Sequence, residues 1–248
     1  LDLTDKNFVT IDPATCKDMD DSVYVEKLDD GFLCYIAIAD LSHYVKPYSA
    51  LFFEAEKRGT SCYLGSDVYP MLPVRLSNDL CSLTENQVRP VLCAIVKIDN
   101  KGEILEYDFK KAIIKSRHKL SYEIAEDIHL SKNGCDEKYS DIKENIDTLY
   151  EASKKIGNLR EARGKLDFNR PEPRFVFSAD RKAVIDVVSE REDESHKVIE
   201  NFMVLANEAA AMFCLNNRIN SIYRVHESPR AEVAKGLNTT LRYFNIPG

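Results

Sequence analysis

The sequence predicts an α/β (mixed α+β) domain in which a mixed sheet is flanked by helices. Three observations predict it. Runs rich in β-branched and aromatic residues fill the N-terminal half, and polar segments with apolar residues at three- and four-residue steps fill much of the rest. An apolar share of 44% over 248 residues is enough to bury a large core.

NFVTID (7–12), SVYVEKL (22–28) and LCYIAIA (33–39) predict neighbouring strands, the last two joined by a turn at Asp29-Asp30-Gly31. ALFFEAEKRG predicts a short helix stopped at Gly59, and 60–90, with Pro70, Pro73 and Pro90, should be irregular with brief regular pieces. Two further strands are expected at 91–99 and 104–114. Ser121 can cap a following helix, and 140–163 predicts a polar helix with Ile142, Ile146, Leu149, Tyr150, Ala152, Ile156 and Leu159 on its apolar side, the two forming a helical insertion. A hairpin at 174–178 and 183–189 precedes the strongest helix, Glu194 to about Asn217. There Ile199, Phe202, Met203, Ala206, Ala210 and Phe213 recur as a stripe expected to face the sheet. A strand at 221–225 and a helix from about 230 complete the series, and the absence of repeats and linkers favours one domain over 1–248.

A net charge of −7 argues against a protein that holds nucleic acid on a broad basic surface, though not against a narrow basic channel. The seven cysteines are odd in number and never spaced CxxC, so neither a disulfide framework nor a zinc site is indicated, and most should be small buried apolar residues. No continuous apolar run of membrane-spanning length and no signal-peptide pattern is evident, so a soluble, cytoplasmic protein is expected.

The densest chemistry lies in IDPATCKDMDDSV, which carries Asp12, Asp18, Asp20 and Asp21. If Pro13 to Lys17 turn the chain, Asp18 returns near Asp12. Asp18 and Asp20 share one face of an extended stretch and Asp21 the other, so all four meet only where the backbone bends. Four close carboxylates raise one another's pKa unless a hard divalent cation offsets them, which points to Mg²⁺ or Mn²⁺. Two such ions about 4 Å apart can activate water and stabilise the leaving oxygen of a phosphodiester. A solvated acidic turn is the plain alternative. A calcium loop is another: Asp18, Asp20 and Ser22 match its first ligands, but Val23 stands where it needs Gly and Asp29 where it needs Glu.

IDPATCKDMDDSV, YIAIADLSHYVKP, EAEKRGTSCYL, YPMLPVRLSNDLCSL, SHKVIENFMVLAN and SIYRVHESP, in that order, resemble the catalytic RNB domain of the ribonuclease II and ribonuclease R family. The resemblance implies a hydrolytic, processive 3′ to 5′ exoribonuclease that depends on Mg²⁺ (Mn²⁺ as a possible substitute) and releases nucleoside 5′-monophosphates from single-stranded RNA. It implies catalytic and metal-binding roles for Asp12, Asp18, Asp20 and Asp21, with Asp20 closest to the cleavage step. Tyr63 and Phe168 fall on the aromatic positions that clamp the last bases, and stacking suits an enzyme that must accept every base. Tyr122 and Glu200 fall on positions that seat the ribose and favour RNA over DNA. Taken alone, Tyr63 and Phe168 could be core rings, Glu200 a solvated surface carboxylate and His226 a satisfied buried imidazole.

The family's flanking cold-shock and S1 RNA-binding domains are not in this sequence, nor is a C-terminal SPIRR-like block supplying an arginine near the scissile phosphate. A partial catalytic domain with weak or no activity by itself, monomeric in its parent, is therefore expected. A catalytically silent RNA-binding relative and a calcium-binding structural module stand as the competing readings.

Overall fold

The computed structural model describes the chain except residues 65–66, 133, 167–171, 179, 181–182, 191–192, 226 and 247–248, and the side chains of 136, 172, 174, 189 and 190. It resolves into two compact units, Leu1–Ala210 and Ala211–Gly248.

The first unit is built on a six-stranded sheet of β1 (Val9–Asp12), β2 (Asp21–Leu28), β3 (Gly31–Ala39), β6 (Val88–Asp99), β7 (Ile104–Lys115) and β8 (His118–Ser121), in the order β7-β6-β3-β2-β1-β8. Neighbours are antiparallel except β1 and β8, which run parallel with Val9 opposite His118 and Asp12 opposite Ser121. The sheet is therefore mixed, as the sequence predicts. The β2–β3 hairpin closes with Leu28 paired to Gly31, and a Cβ on Gly31 would stand 2.0 Å from the Ile98 carbonyl oxygen of β6. Only glycine lets β6 approach there.

Alternation along β3 sends Phe32, Cys34 and Ile36 into one core and Leu33, Tyr35 and Ala37 into another, and β6 divides Ala94, Val96 and Ile98 from Val91 and Cys93 in the same way. A sheet buried on both faces explains why LCYIAIA reads as a nearly continuous apolar run. The first core is completed by α3 (Tyr122–His129), α5 (Lys143–Ala162) and α6 (Glu194–Asn216), the second by Leu3, Phe8, Met19 and Leu83. Asn145 of α5 accepts a hydrogen bond from the Val25 N–H (3.2 Å) and donates to the Asn7 carbonyl (3.1 Å), satisfying backbone that the short β1 leaves free. Asn201 of α6 donates to the hydroxyl (3.0 Å) and carbonyl (3.2 Å) of Ser153 on α5.

Local signals hold where they are strong. Helix α2 (Ala50–Arg58) is capped by Ser49, whose Oγ accepts from the Phe52 N–H, and ends at Gly59 with φ +74°. Ser121 caps α3 by accepting from the Ile124 N–H at 3.3 Å. The expected hairpin is β9 (Glu172–Phe177) with β10 (Val184–Glu190). A short helix α1 (Leu41–Tyr44) precedes α2, and the irregular stretch contains a ribbon of β4 (Cys62–Leu64) and β5 (Asp67–Tyr69) and one π-helical turn at Leu76–Leu80; α4 (Cys135–Lys138) is likewise short.

Several expectations are corrected. Residues 221–225 form no strand, and Ile222 is fully exposed. The second unit contains the end of α6, an irregular stretch and α7 (Ala231–Tyr243). The buried face of α6 is Val198, Ile199, Phe202, Leu205, Ala206 and Ala209, rotated from the expected stripe, with Met203 only partly buried and Ala210 and Phe213 outside it. α6 also has the length and apolar composition to cross a membrane, but its face from Val198 to Ala209 is packed into the first core. Only Cys34, Cys81 and Cys93 of the seven cysteines are buried, and Cys62 is exposed.

Candidate active site

Asp12 ends β1 and Asp21 opens β2, so two strand termini fix the outer members of the acidic group. Between them the chain turns at Pro13, whose carbonyl accepts from the Cys16 N–H at 2.8 Å, supplying the bend the four carboxylates require. The returning segment is stitched down from outside: the Met19 N–H donates to Ser82 Oγ (3.2 Å), Ser82 Oγ donates to the Lys17 carbonyl (3.0 Å), and the Leu83 N–H donates to the Met19 carbonyl (2.8 Å). Arg89 in turn holds the Ser82 carbonyl at 3.1 Å and the Asp79 carboxylate at 2.9 Å. Met19 points into the core, leaving Asp18 and Asp20 on the open side.

Three of the carboxyls, those of Asp12, Asp20 and Asp21, are raised. Asp12 is pushed up to about 6, first by desolvation and further by Asp20 and Asp18, against the opposing charge of Lys119 and a hydrogen bond from Cys16. Asp21 is pushed up to about 7 by desolvation, then by Asp12 and Asp20. Asp20, the most exposed, is raised by local desolvation and by Asp18. Asp12 Oδ2 is buried with no hydrogen-bond partner. Cys16 Sγ lies 3.5 Å from Asp18 Oδ1 and 3.8 Å from Asp12 Oδ1, and its thiol is pushed up to about 11 by burial and by Asp12.

Oxygen donors short of counter-charge, one of them orphaned, suit a hard divalent cation. Among the described residues no three His, Cys, Asp or Glu side chains stand close enough together to hold a metal ion as they are, so a cation would have to draw the carboxylates in. A calcium loop fails on backbone grounds, because Asp21 to Leu28 is strand rather than a ligand loop.

Because β8 pairs with β1, the start of α3 falls beside Asp12. Tyr122 is therefore at the acidic group, its phenol pushed up to about 12 by desolvation and then by Asp12 and Asp21. Glu200 is not a merely solvated carboxylate: Arg160 (2.8 Å) and Lys165 (3.1 Å) hold it, and their hydrogen bonds outweigh burial to keep its carboxyl below the usual range. Tyr63 is not core, since it is 66% exposed on the β4–β5 ribbon with Leu64, Val68 and Tyr69. Phe168 and His226 lie outside the described residues. Sequence reasoning missed Cys16, Lys119, Ser82 and His196. Lys119 donates to the Cys16 carbonyl, and His196 stacks on Tyr122.

The RNB domain family model matches residues 1–246. The chain is 40% identical over 250 residues to Ribonuclease R of Thermotoga maritima, covering 99% of this chain and 34% of that protein. Ribonuclease R of Escherichia coli is 35% identical over 247 residues, with 99% and 30% covered. The chain thus spans about a third of the length of the curated relatives it matches. Mycoplasma genitalium RNase R in complex with ribose-methylated single-stranded RNA superimposes with a TM-score of 0.91 at 36% identity, over 98% of this chain and 38% of that one.

Proposed function

The chain belongs to the RNB domain family, and from that premise we propose that it carries the active site of a processive 3′ to 5′ exoribonuclease. The substrate is single-stranded RNA, the products are nucleoside 5′-monophosphates, and the metal is Mg²⁺, with Mn²⁺ as a substitute. The observation that carries this reading is the acidic group itself: Asp12 ending β1, Asp21 opening β2, and Asp18 and Asp20 on the turn between them, with an orphaned Asp12 oxygen.

Asp12, Asp18, Asp20 and Asp21 are the residues that would hold the metal, whose chemistry is to acidify a water and offset phosphate charge. Asp20 is the exposed member, the carboxylate a substrate phosphate reaches first. Tyr122 presents a protonated phenol beside the cluster, able to donate to a ribose hydroxyl. Tyr63 offers an exposed π face to a base, and Glu200, pre-oriented by Arg160 and Lys165, offers an acceptor. Phe168 is assigned the second stacking role on the resemblance alone.

The test is Asp20→Asn in the full-length protein with labelled oligoadenylate and Mg²⁺. Turnover should fall by roughly a hundredfold or more, as for loss of a group acting on transition-state charge, while RNA binding stays within a few-fold. Unchanged turnover would overturn the assignment, and an unaltered protein that binds RNA without hydrolysing it would identify a catalytically silent relative.

A further inference from the structure

We infer that His196, in the first turn of α6, is a positioning residue that fixes the Tyr122 ring at the carboxylate group and so sets the site's preference for ribose over deoxyribose. The inference rests on the exoribonuclease reading and deepens it.

The Tyr122 and His196 rings are face to face, with centroids 3.6 Å apart and planes inclined by 17°. They come from different elements, Tyr122 from the first position of α3 and His196 from α6, so the stack joins two helix starts at the edge of the site. His196 is itself fixed. Its Nδ1 accepts from the Asp193 backbone N–H at 3.3 Å, and the His196 backbone N–H donates to the Asp193 carbonyl at 3.1 Å. An accepting Nδ1 assigns the neutral ring's proton to Nε2 and holds the ring plane. Glu200 follows four residues later on the same helix face, so one side of α6 presents both the group that aligns Tyr122 and the carboxylate held by Arg160 and Lys165.

The Tyr122 ring is half-buried and packed against the first core on one side, the His196 face closes its seat on the other, and each rotamer other than the seated one removes a donor from the ribose. Tyr122 follows Ser121, which pairs opposite Asp12, so the stack selects among orientations of a ring that springs from beside the acidic group. Aromatic pairs hold an equilibrium by roughly two- to tenfold beyond area burial, which is the scale of effect expected here.

The experiment measures affinity for a ribo-oligoadenylate and its 2′-deoxy counterpart by fluorescence anisotropy, with every variant in an Asp20→Asn background to prevent turnover. His196→Leu, which keeps volume but removes the ring, should lower the ribo-to-deoxy ratio by roughly two- to tenfold, and His196→Phe should restore it. Tyr122→Ala combined with His196→Leu should match Tyr122→Ala alone, since the two act through one contact. An unchanged ratio in His196→Leu, equal losses on both oligonucleotides, or full additivity in the double variant would overturn the inference. A parent protein that binds neither oligonucleotide would instead remove the exoribonuclease reading beneath it.

Discussion

Lys119 reaches across from β8 to donate to the carbonyl of Cys16, and its charge opposes the desolvation that raises Asp12. One ammonium thus ties down the acidic turn and tempers its most constrained carboxyl. Lys119→Met should have two separable effects. Removing the charge lets Asp12 rise beyond about 6, so the pH midpoint at which Mn²⁺ binding is lost should move up by roughly half a unit to one unit. Losing a like charge beside the cation should tighten binding on the alkaline plateau. Calorimetric titration from pH 5.5 to 9 measures both, and an unmoved midpoint would show that Lys119 serves the turn alone.

Asp12 and Asp21 titrate near 6 and 7 in the folded chain against 3.8 for an ordinary aspartate. A folded state that binds protons more tightly than the unfolded one loses stability as pH rises, here from about 4 to about 7. Asp21→Asn, a neutral mimic, should therefore stabilise the metal-free chain by about 1–3 kcal/mol at pH 8 and far less near pH 4. Urea unfolding at the two pH values checks this. Added Mg²⁺ should raise the wild-type melting temperature at pH 8 and leave Asp21→Asn less affected.

Tyr63 is two-thirds exposed, so its removal costs little folding energy and isolates its contact with RNA. Tyr63→Ala should weaken oligoadenylate binding by roughly five- to a hundredfold, the range for one base stacked on an aromatic ring, and leave the melting curve in place. Tyr63→Phe should bind nearly as the parent does. A Tyr63→Ala protein with unchanged affinity would remove the ribbon from the RNA path.

Asn145 is the buried clamp between α5, β2 and the segment before β1. Asn145→Leu keeps the volume but strands the Val25 N–H and the Asn7 carbonyl, and should cost about 2–4 kcal/mol. Denaturant unfolding measures the loss.

Strands β1, β2, β3, β6 and β7 and the helix 50–58 are legible in the sequence because their signals are local: alternation, a serine cap, a stopping glycine. Strand β8 is not among them. The proximity of the four aspartates is legible for the same reason, since Pro13 turns the chain between them. Cys16, Lys119 and Ser82 are not, because the bonds that bring Lys119 and Ser82 to the turn join distant segments, and β8 has no local partner to announce it. The face of α6 was misjudged because Val198, Met203, Leu205 and Ala210 make the helix apolar around most of its circumference, and periodicity cannot choose a face when several qualify. The SIYRV run has strand propensity but forms no strand, and propensity without a ladder does not make one.

The parallel pairing of β1 with β8 also orders events in time. The β2–β3 and β6–β7 hairpins close over short loops, whereas Asp12 meets Ser121 only after most of the first unit has been synthesised. Closure entropy must be met before such a distant contact contributes anything in return. During synthesis the four aspartates are an ordinary hydrated acidic segment with ordinary acidity. The desolvation that raises Asp12 is completed only when β8 docks, on a framework of hairpins already able to bear it, so the acidic group reaches its folded-state acidity after the local hairpins have closed.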